Sequence, residues 1–99
     1  MLEVGYYFGD GSKEKGLNIE KETDKAVYVI VAHGGSYPCK VWLPKSQIKT
    51  KITNREITFN GKTLKWQNAK VTHVEEWLVR KTLKPYINCS IYAEVENNE

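Results

Sequence analysis

Alternating hydrophobic and polar positions predict a chain built mainly from short β-strands. Residues 2–8 are rich in side chains that favour strands, and residues 17–20 can form a second short strand. Residues 25–32 form the strongest predicted strand because both of its faces are apolar, which is typical of a strand covered on both sides or closed into a barrel. The polar segment 9–16 is predicted to be a loop.

A second strong strand is predicted over residues 37–43, after a turn that returns the chain. Alternation places every second residue from Cys39 in the core and puts Lys40 and Trp42 on the opposite face. Trp42 is therefore either in a second core layer or exposed. Pro38 indicates that this strand begins late or lies at a sheet edge, where it could pair with a second copy and form a dimer.

A tight hairpin is predicted at Asn60-Gly61, because these residues tolerate the positive φ angles of a type I′ turn. Its strands are predicted over residues 56–59 and 62–66. Two apolar side chains of the first strand are expected to face the core, and two of the second to share a face: Ile57 and Phe59, then Leu64 and Trp66.

One short helix is predicted in the C-terminal half. Thr72 and Glu75 have the spacing of a capping box, and Pro85 ends the segment. Three apolar residues at helical spacing are expected to turn inward: Val74, Trp77 and Leu78. A final strand is predicted over 86–95, and a single helical turn or tight bend over 44–48.

These elements predict one α+β domain over residues 1–99, mainly β, with residues 96–99 frayed. The expected architecture is a small curled antiparallel sheet or a partly open barrel of the OB or SH3-like kind, with the helix covering one end. No apolar run approaches the roughly 18–20 residues of a membrane span. The N-terminus lacks the pattern of a signal peptide, so we expect a cytoplasmic protein, in the host cell if it is viral.

Charge is distributed unevenly along the chain. Residues 1–39 carry a net charge of −2, residues 40–85 carry +8 and residues 86–99 carry −3, which gives the total of +3. A basic middle segment favours an anionic partner such as nucleic acid, a nucleotide or an acidic protein surface. The alternative is that lysine only keeps the surface soluble.

Catalytic, metal and cofactor chemistry is not expected. The candidate residues are His33, Cys39, His73 and Cys89, and they lack both the paired spacing of zinc sites and the context of a catalytic triad. The two cysteines sit in apolar strand patterns, so they are expected to be free, buried thiols. We therefore predict a binding protein rather than an enzyme.

Basic and aromatic residues coincide in the middle of the chain. Single-stranded nucleic acid binders stack bases on exposed rings while lysines follow the phosphates. The alternative is that the rings belong to the core, since tryptophan is usually buried. The candidate nucleic-acid-binding residues are Trp42 and Trp66 for stacking, with Tyr28 beside them, and Lys40, Lys45, Lys65 and Lys70 for phosphates.

The segment Trp-Leu-Pro-Lys-Ser-Gln-Ile at 42–48, with residues 22–26 before it and Glu76-Trp77-Leu78 after it, resembles a pattern in small phage and mobile-element proteins. The resemblance covers about a third of the chain and implies a phage or mobile-element origin and a small binding role, with single-stranded DNA among the candidate ligands. The chain departs from the pattern by inserting the hairpin at 55–66.

A second hypothesis follows from that origin, namely an inhibitor that docks on an acidic surface of a host defence protein. The candidate residues for it cluster at the C-terminal end of the predicted helix: Arg80, Lys81 and Lys84. Their attraction to the helix dipole is a sufficient structural reason for their position. A third hypothesis, binding of a small anionic nucleotide, requires a concave pocket.

Overall fold

The computed structural model describes residues 1–32 and 39–95, apart from the side chains of Arg55 and Trp66. Eight strands are present in these residues. The strands are β1 Leu2–Tyr7, β2 Lys13–Lys15, β3 Leu17–Glu22, β4 Ala26–Ala32, β5 Cys39–Pro44, β6 Ile48–Phe59, β7 Lys62–Val74 and β8 Ile91–Val95. A 3₁₀ turn at Lys45–Gln47 follows β5, where a helical turn or bend is predicted.

All eight strands belong to one curled antiparallel sheet. The order is β2-β1-β7-β3-β4-β5, with β6 paired to β7 and β8 paired to β1. A register shift in β3 between Ile19 and Lys21 bends the sheet at the point where β3 pairs with β4. The predicted class, a mainly β protein with a curled antiparallel sheet and one helix in the C-terminal half, is confirmed.

The helical segment is short and irregular. It consists of an α-helical turn at Glu76–Leu78, a π-helical turn at Val79–Leu83 and a 3₁₀ turn at Lys84–Tyr86. It buries Leu78, Val79 and Leu83 against the sheet. Of the side chains predicted to turn inward, Trp77 does not, since 52% of it is exposed.

The predicted capping box is wrong. Thr72 lies inside β7, and its hydroxyl donates a hydrogen bond to the Lys49 carbonyl at 3.3 Å. Glu75 is the residue that precedes the helix, and no side chain caps it. The pairing of β7 with β6 satisfies backbone groups over a longer stretch than the local cap, so it determines the structure here.

Buried aliphatic side chains from nearly every strand form one core. The three valines on one face of β4 are fully buried, whereas the side chains on its other face are only partly buried. Burying each valine, leucine or isoleucine stabilises the fold by about 1.5–3 kcal/mol before entropy is counted. The fully buried side chains include Val4, Leu17, Val27, Val29, Val31, Leu43, Val71, Leu83 and Ile91.

The β6–β7 hairpin is much longer than predicted. Asn60 and Gly61 have φ angles of 52° and 75°, as the predicted turn requires. In the outer part of the hairpin, β6 and β7 pair only with each other among the described residues. We call residues 53–68 the arm. The arm explains a radius of gyration of 14.6 Å, against about 13 Å for a compact domain of this length.

The arm also corrects a prediction about the core. Ile57, Phe59 and Leu64 are exposed by 52%, 70% and 61%, so none of them faces the core. The side chain of Trp66 lies outside the described residues. Alternation correctly places Ile57 and Phe59 on one face, but in the described part of the chain no other element covers that face.

The C-terminal strand is also shorter than predicted. It spans Ile91–Val95 rather than 86–95, because residues 88–90 form a turn in which Asn88 has a φ of 65°. Cys39 and Cys89 are free thiols as predicted, but both are exposed rather than buried. The predicted turn at 33–36, the Pro38 edge and the tail at 96–99 lie outside the described residues.

Two buried tyrosines connect β1 to its neighbours. Tyr6 donates its hydroxyl proton to the Ile30 carbonyl at 2.8 Å and accepts from the Asn18 amide at 2.9 Å. Burial raises the pKa of Tyr6. Burial, and then the charges of Glu3 and Glu94, raise the pKa of Tyr92 to about 12. Ionisation of either phenol therefore opposes folding.

This pKa shift predicts a loss of stability in alkali. The folded pKa of Tyr92 lies above its ordinary value of 10.0, so its contribution is complete below pH 10.0 and is lost as the pH rises through about 12. Over this pH range the free energy of unfolding should fall in both proteins. We expect the fall to be about 1–3 kcal/mol smaller in Tyr92→Phe than in the wild type. Urea unfolding at several alkaline pH values measures this difference. Equal losses in the two proteins contradict the prediction.

Candidate functional site

Two of the three predicted aromatic residues, Tyr28 and Trp42, stack on each other on the outer face of the sheet. Tyr28 and Trp42 are directly opposite each other in β4 and β5, with ring centroids 4.7 Å apart and planes at 23°. Trp42 is 48% exposed, so it is on the surface rather than in a second core layer. The free side of its ring can receive a flat, apolar or aromatic group.

The lysines beside this stack are engaged in ion pairs. Lys40 Nζ lies 2.7 Å from a Glu20 carboxylate oxygen and 5.8 Å from the centroid of the Tyr28 ring. Lys45 Nζ lies 2.6 Å from a Glu22 carboxylate oxygen. The two glutamates cancel much of the positive charge predicted to surround Trp42.

The other predicted residues lie on β7, away from the stack. Lys70 is 8% exposed, and its Nζ lies 2.8 Å from a carboxylate oxygen of Glu14. Lys65 is exposed on the arm, and the structure describes only the backbone of Trp66, opposite Arg55. The structure therefore brings Tyr28, Trp42 and Lys40 together but does not join them to the β7 residues.

The basic cluster of the helical segment is also partly neutralised. Arg80 forms an ion pair with Glu76 one turn earlier, at 2.6 Å. Lys81 and Lys84 are exposed. Exposed pairs of this kind contribute about 0.3–0.5 kcal/mol, so the cluster is adequately explained as helix surface.

A basic concave surface lies between β2, β6 and β7. We call it the basic groove; it has a volume of about 640 Å³. Threonines and an asparagine line it between its charged groups. The ionisable residues that line it are Glu14, Lys15, Lys49, Lys51, Lys70 and His73.

Backbone geometry positions these side chains. Lys51 and Lys70 are directly opposite each other in the β6–β7 ladder, so they share a face. A register shift between Lys49 and Thr50 re-aims the strand, and both Lys49 and Lys51 line the groove. Gly16, with a φ of +89°, leaves room for Lys70, whose side chain would lie 3.0 Å from an added Cβ.

The groove retains an excess of positive charge. Glu14 pairs with Lys70, and Glu3 lies 3.5 Å from Lys15. Within the described residues, Lys49 and Lys51 form no ion pair. The ammonium groups of Lys49 and Lys51 can therefore bind an anion without first breaking an ion pair with a carboxylate.

The positive charge of the chain is concentrated on the β6–β7 hairpin. Residues 48–74 contain six lysines and arginines and one glutamate, a net charge of +5, so the rest of the chain carries −2. The groove occupies the root of this hairpin, and Lys62, opposite Phe59, continues the charge along the same face of the arm. The distribution suits an extended anion better than a compact one.

Sequence reasoning missed Lys15, Lys49 and Lys51. The segment Lys49-Thr50-Lys51 did contain a signal, since alternation places its two lysines on one face of a strand. Nothing in the sequence indicated that β2 would approach from a separate part of the chain and close the groove.

Comparison with known proteins finds no matching family, no similar curated protein and no similar solved structure. In the described residues, no helix is long and apolar enough to cross a membrane. No three histidine, cysteine or acidic side chains in that part of the chain are grouped so that they could hold a metal ion.

Proposed function

We propose that the protein binds single-stranded nucleic acid, without catalysing a reaction, and that the phosphates occupy the basic groove. The observation that carries this proposal is the convergence of four lysines on one groove that contains a single glutamate. Lys49 and Lys51 are the principal phosphate ligands, because neither pairs with a carboxylate in the described residues. The proposal keeps the predicted ligand class, and of the predicted phosphate-binding lysines only Lys70 lines the groove.

The extent of the charge favours a polyanion over a small nucleotide. The groove opens at the root of a hairpin whose groove-bearing face continues to Lys62, opposite Phe59, so successive phosphates can be bound along it. The exposed ring of Phe59 favours a single strand, whose bases are free to stack, over a duplex, whose bases are covered.

Neutral polar groups in the groove support the same ligand. Thr50 and Asn54 lie between the lysines and can donate hydrogen bonds to phosphate oxygens. Such contacts position a backbone without reading its sequence. We therefore expect binding with little sequence preference.

The hypothesis of docking on an acidic host protein stays a prediction, as does the phage origin that motivates it. Its residues are less favourable than the groove, because Arg80 is paired with Glu76 and only Lys81 and Lys84 remain. The two hypotheses are distinguished by a binding measurement: if the protein docks on an acidic host protein instead, the isolated protein will not bind nucleic acid.

Fluorescence anisotropy of a labelled single-stranded oligonucleotide, titrated with protein at several salt concentrations, tests the proposed function. Each phosphate contact with a single strand contributes a slope of about −0.7 in log affinity against log salt, so three or four contacts give about −2 to −3. No binding at low salt, or binding independent of salt, contradicts the proposal.

Removing the carboxylate of the groove gives a prediction of opposite sign. Glu14 lines the groove and pairs with Lys70. Its carboxylate therefore repels a bound phosphate and partly neutralises the charge of Lys70. We expect Glu14→Gln to tighten oligonucleotide binding by about three- to tenfold, which corresponds to about 1 kcal/mol for one charge. Glu76→Gln, which alters an acidic group on the helical segment, is the control and should leave the affinity unchanged. Weaker binding by Glu14→Gln would count against this placement of the phosphates.

A further inference from the structure

We infer that the arm, residues 53–68, contacts the bases of the bound strand while the groove at its root holds the phosphates. This inference rests on the function proposed above and adds the element that touches the bases. It assigns a role to the exposed apolar side chains Ile57, Phe59 and Leu64, which no other part of the described structure covers.

The ladder register places these side chains on the face that carries the groove lysines. Ile57 is directly opposite Leu64, and Lys51 is directly opposite Lys70. Positions 51, 57 and 59 are an even number of residues apart, so their side chains share one face of β6. A strand bound at Lys51 and Lys70 can therefore continue along the apolar face toward Phe59.

The two faces of the arm differ in polarity. Opposite the apolar face, Thr58 and Thr63 lie with their hydroxyl oxygens 3.3 Å apart, and Glu56 lies opposite Lys65 in the register. Phe59 is 70% exposed on the apolar face. A two-stranded ribbon is only marginally stable alone in water, so an exposed apolar strip on one face indicates a surface that a ligand covers.

Charge identifies nucleic acid as the occupant rather than a second copy of the chain. The hairpin carries +5, so two arms packed face to face would repel each other. A single strand supplies phosphates that neutralise the lysines and bases that cover the apolar strip. Bases stack on aromatic side chains regardless of sequence, which suits an arm with one exposed phenylalanine.

Two matched oligonucleotides test the inference. One is an oligothymidine of about twelve nucleotides, within the usual site size, and the other is an abasic backbone of the same length and charge. We expect the wild type to bind oligothymidine at least about fivefold more tightly, which is the gain from stacking one base. Phe59→Ala should lose this preference and keep its affinity for the abasic strand. Thr58→Ala, on the polar face, should behave as the wild type.

The outcomes separate the inference from the function on which it rests. Equal binding of both strands by the wild type, with normal salt dependence, overturns the role of the arm and leaves the groove as a phosphate site. No binding of either strand at low salt overturns the proposed function itself. Light scattering provides a further check, because a dimer that Phe59→Ala converts to a monomer would assign the arm to self-association and overturn the inference.

Discussion

Replacing Gly5 with alanine is expected to lower the free energy of unfolding by about 3 kcal/mol, the upper part of the usual range for overpacking. Gly5 lies in β1, where an added Cβ would be 2.2 Å from the Glu14 carbonyl oxygen and 2.7 Å from the Tyr92 side chain. A backbone oxygen cannot rotate away as a flexible side chain can. The pairing of Gly5 with Lys15 would have to open, and β2 would move away from β1.

Gly9→Ala is the matched control for this substitution. Gly9 lies in the turn after β1, its φ is not positive, and no atom is within 4 Å of an added Cβ. Urea unfolding followed by circular dichroism should place Gly9→Ala within about 0.5 kcal/mol of the wild type. Gly5→Ala within the same margin would show that β1 and β2 do not pack as described. Because β2 carries Glu14 and Lys15, we also expect Gly5→Ala to disturb the groove.

Hydrophobic alternation predicted the strands that form the core, because burial constrains them most strongly. In β4 the three valines on one face are fully buried, as expected for a strand whose faces are both apolar. The hairpin turn at Asn60-Gly61 was predictable for a different reason, since few residue pairs adopt two positive φ angles at low cost. In both cases the physical requirement is local and leaves a clear pattern in the sequence.

The arm shows where this reasoning stops. Alternation indicates which side chains share a face, but whether another element covers that face depends on the whole topology. Ile57 and Phe59 have the pattern of core residues, yet β6 runs past the sheet and leaves them exposed. The mismatch between the expected burial of these side chains and their exposure is informative, because an apolar face that the fold leaves uncovered is a candidate for binding.

The capping box failed through competition between local and non-local hydrogen bonds. Thr72 and Glu75 have suitable spacing, but the ladder extends through Val74, which pairs with Ile48 and with Leu2. A strand flanked by two partners outweighs one side-chain cap of about 1 kcal/mol. Those partners are distant in sequence, so a local motif could not reveal them.

The basic character of the candidate site was predictable, but its position in the fold was not. Net charge by segment indicated an anionic partner, since the middle of the chain is strongly basic. Which lysines remain available depends on ion pairs between distant strands. Lys40 is neutralised by Glu20, whereas Lys49 has no such partner in the described structure. Sequence alone gives no information on these pairings.

Reversing the charge of Lys49 and Lys51 together is expected to weaken oligonucleotide binding on the order of a hundredfold or more at low salt. Each substitution to glutamate removes an attraction and adds a repulsion, and each unit charge near a phosphate is worth about 1 kcal/mol in water. Both residues are exposed and form no ion pair in the described part of the chain, so the fold should tolerate the change. The double variant should also flatten the salt slope by about 1.4, the contribution of two contacts with a single strand.

Lys81→Glu combined with Lys84→Glu is the control, because it changes the net charge by the same amount on the helical segment, where both residues are exposed. Affinity governed by net charge alone would fall equally in both double variants. Affinity governed by the groove falls much further in the Lys49 and Lys51 variant when the two are compared at about 0.1 M salt, since neither Lys81 nor Lys84 lines the groove and salt weakens the remaining long-range effect of their charges. A larger loss in the Lys81 and Lys84 variant would move the binding surface to the helical segment and favour an acidic partner there.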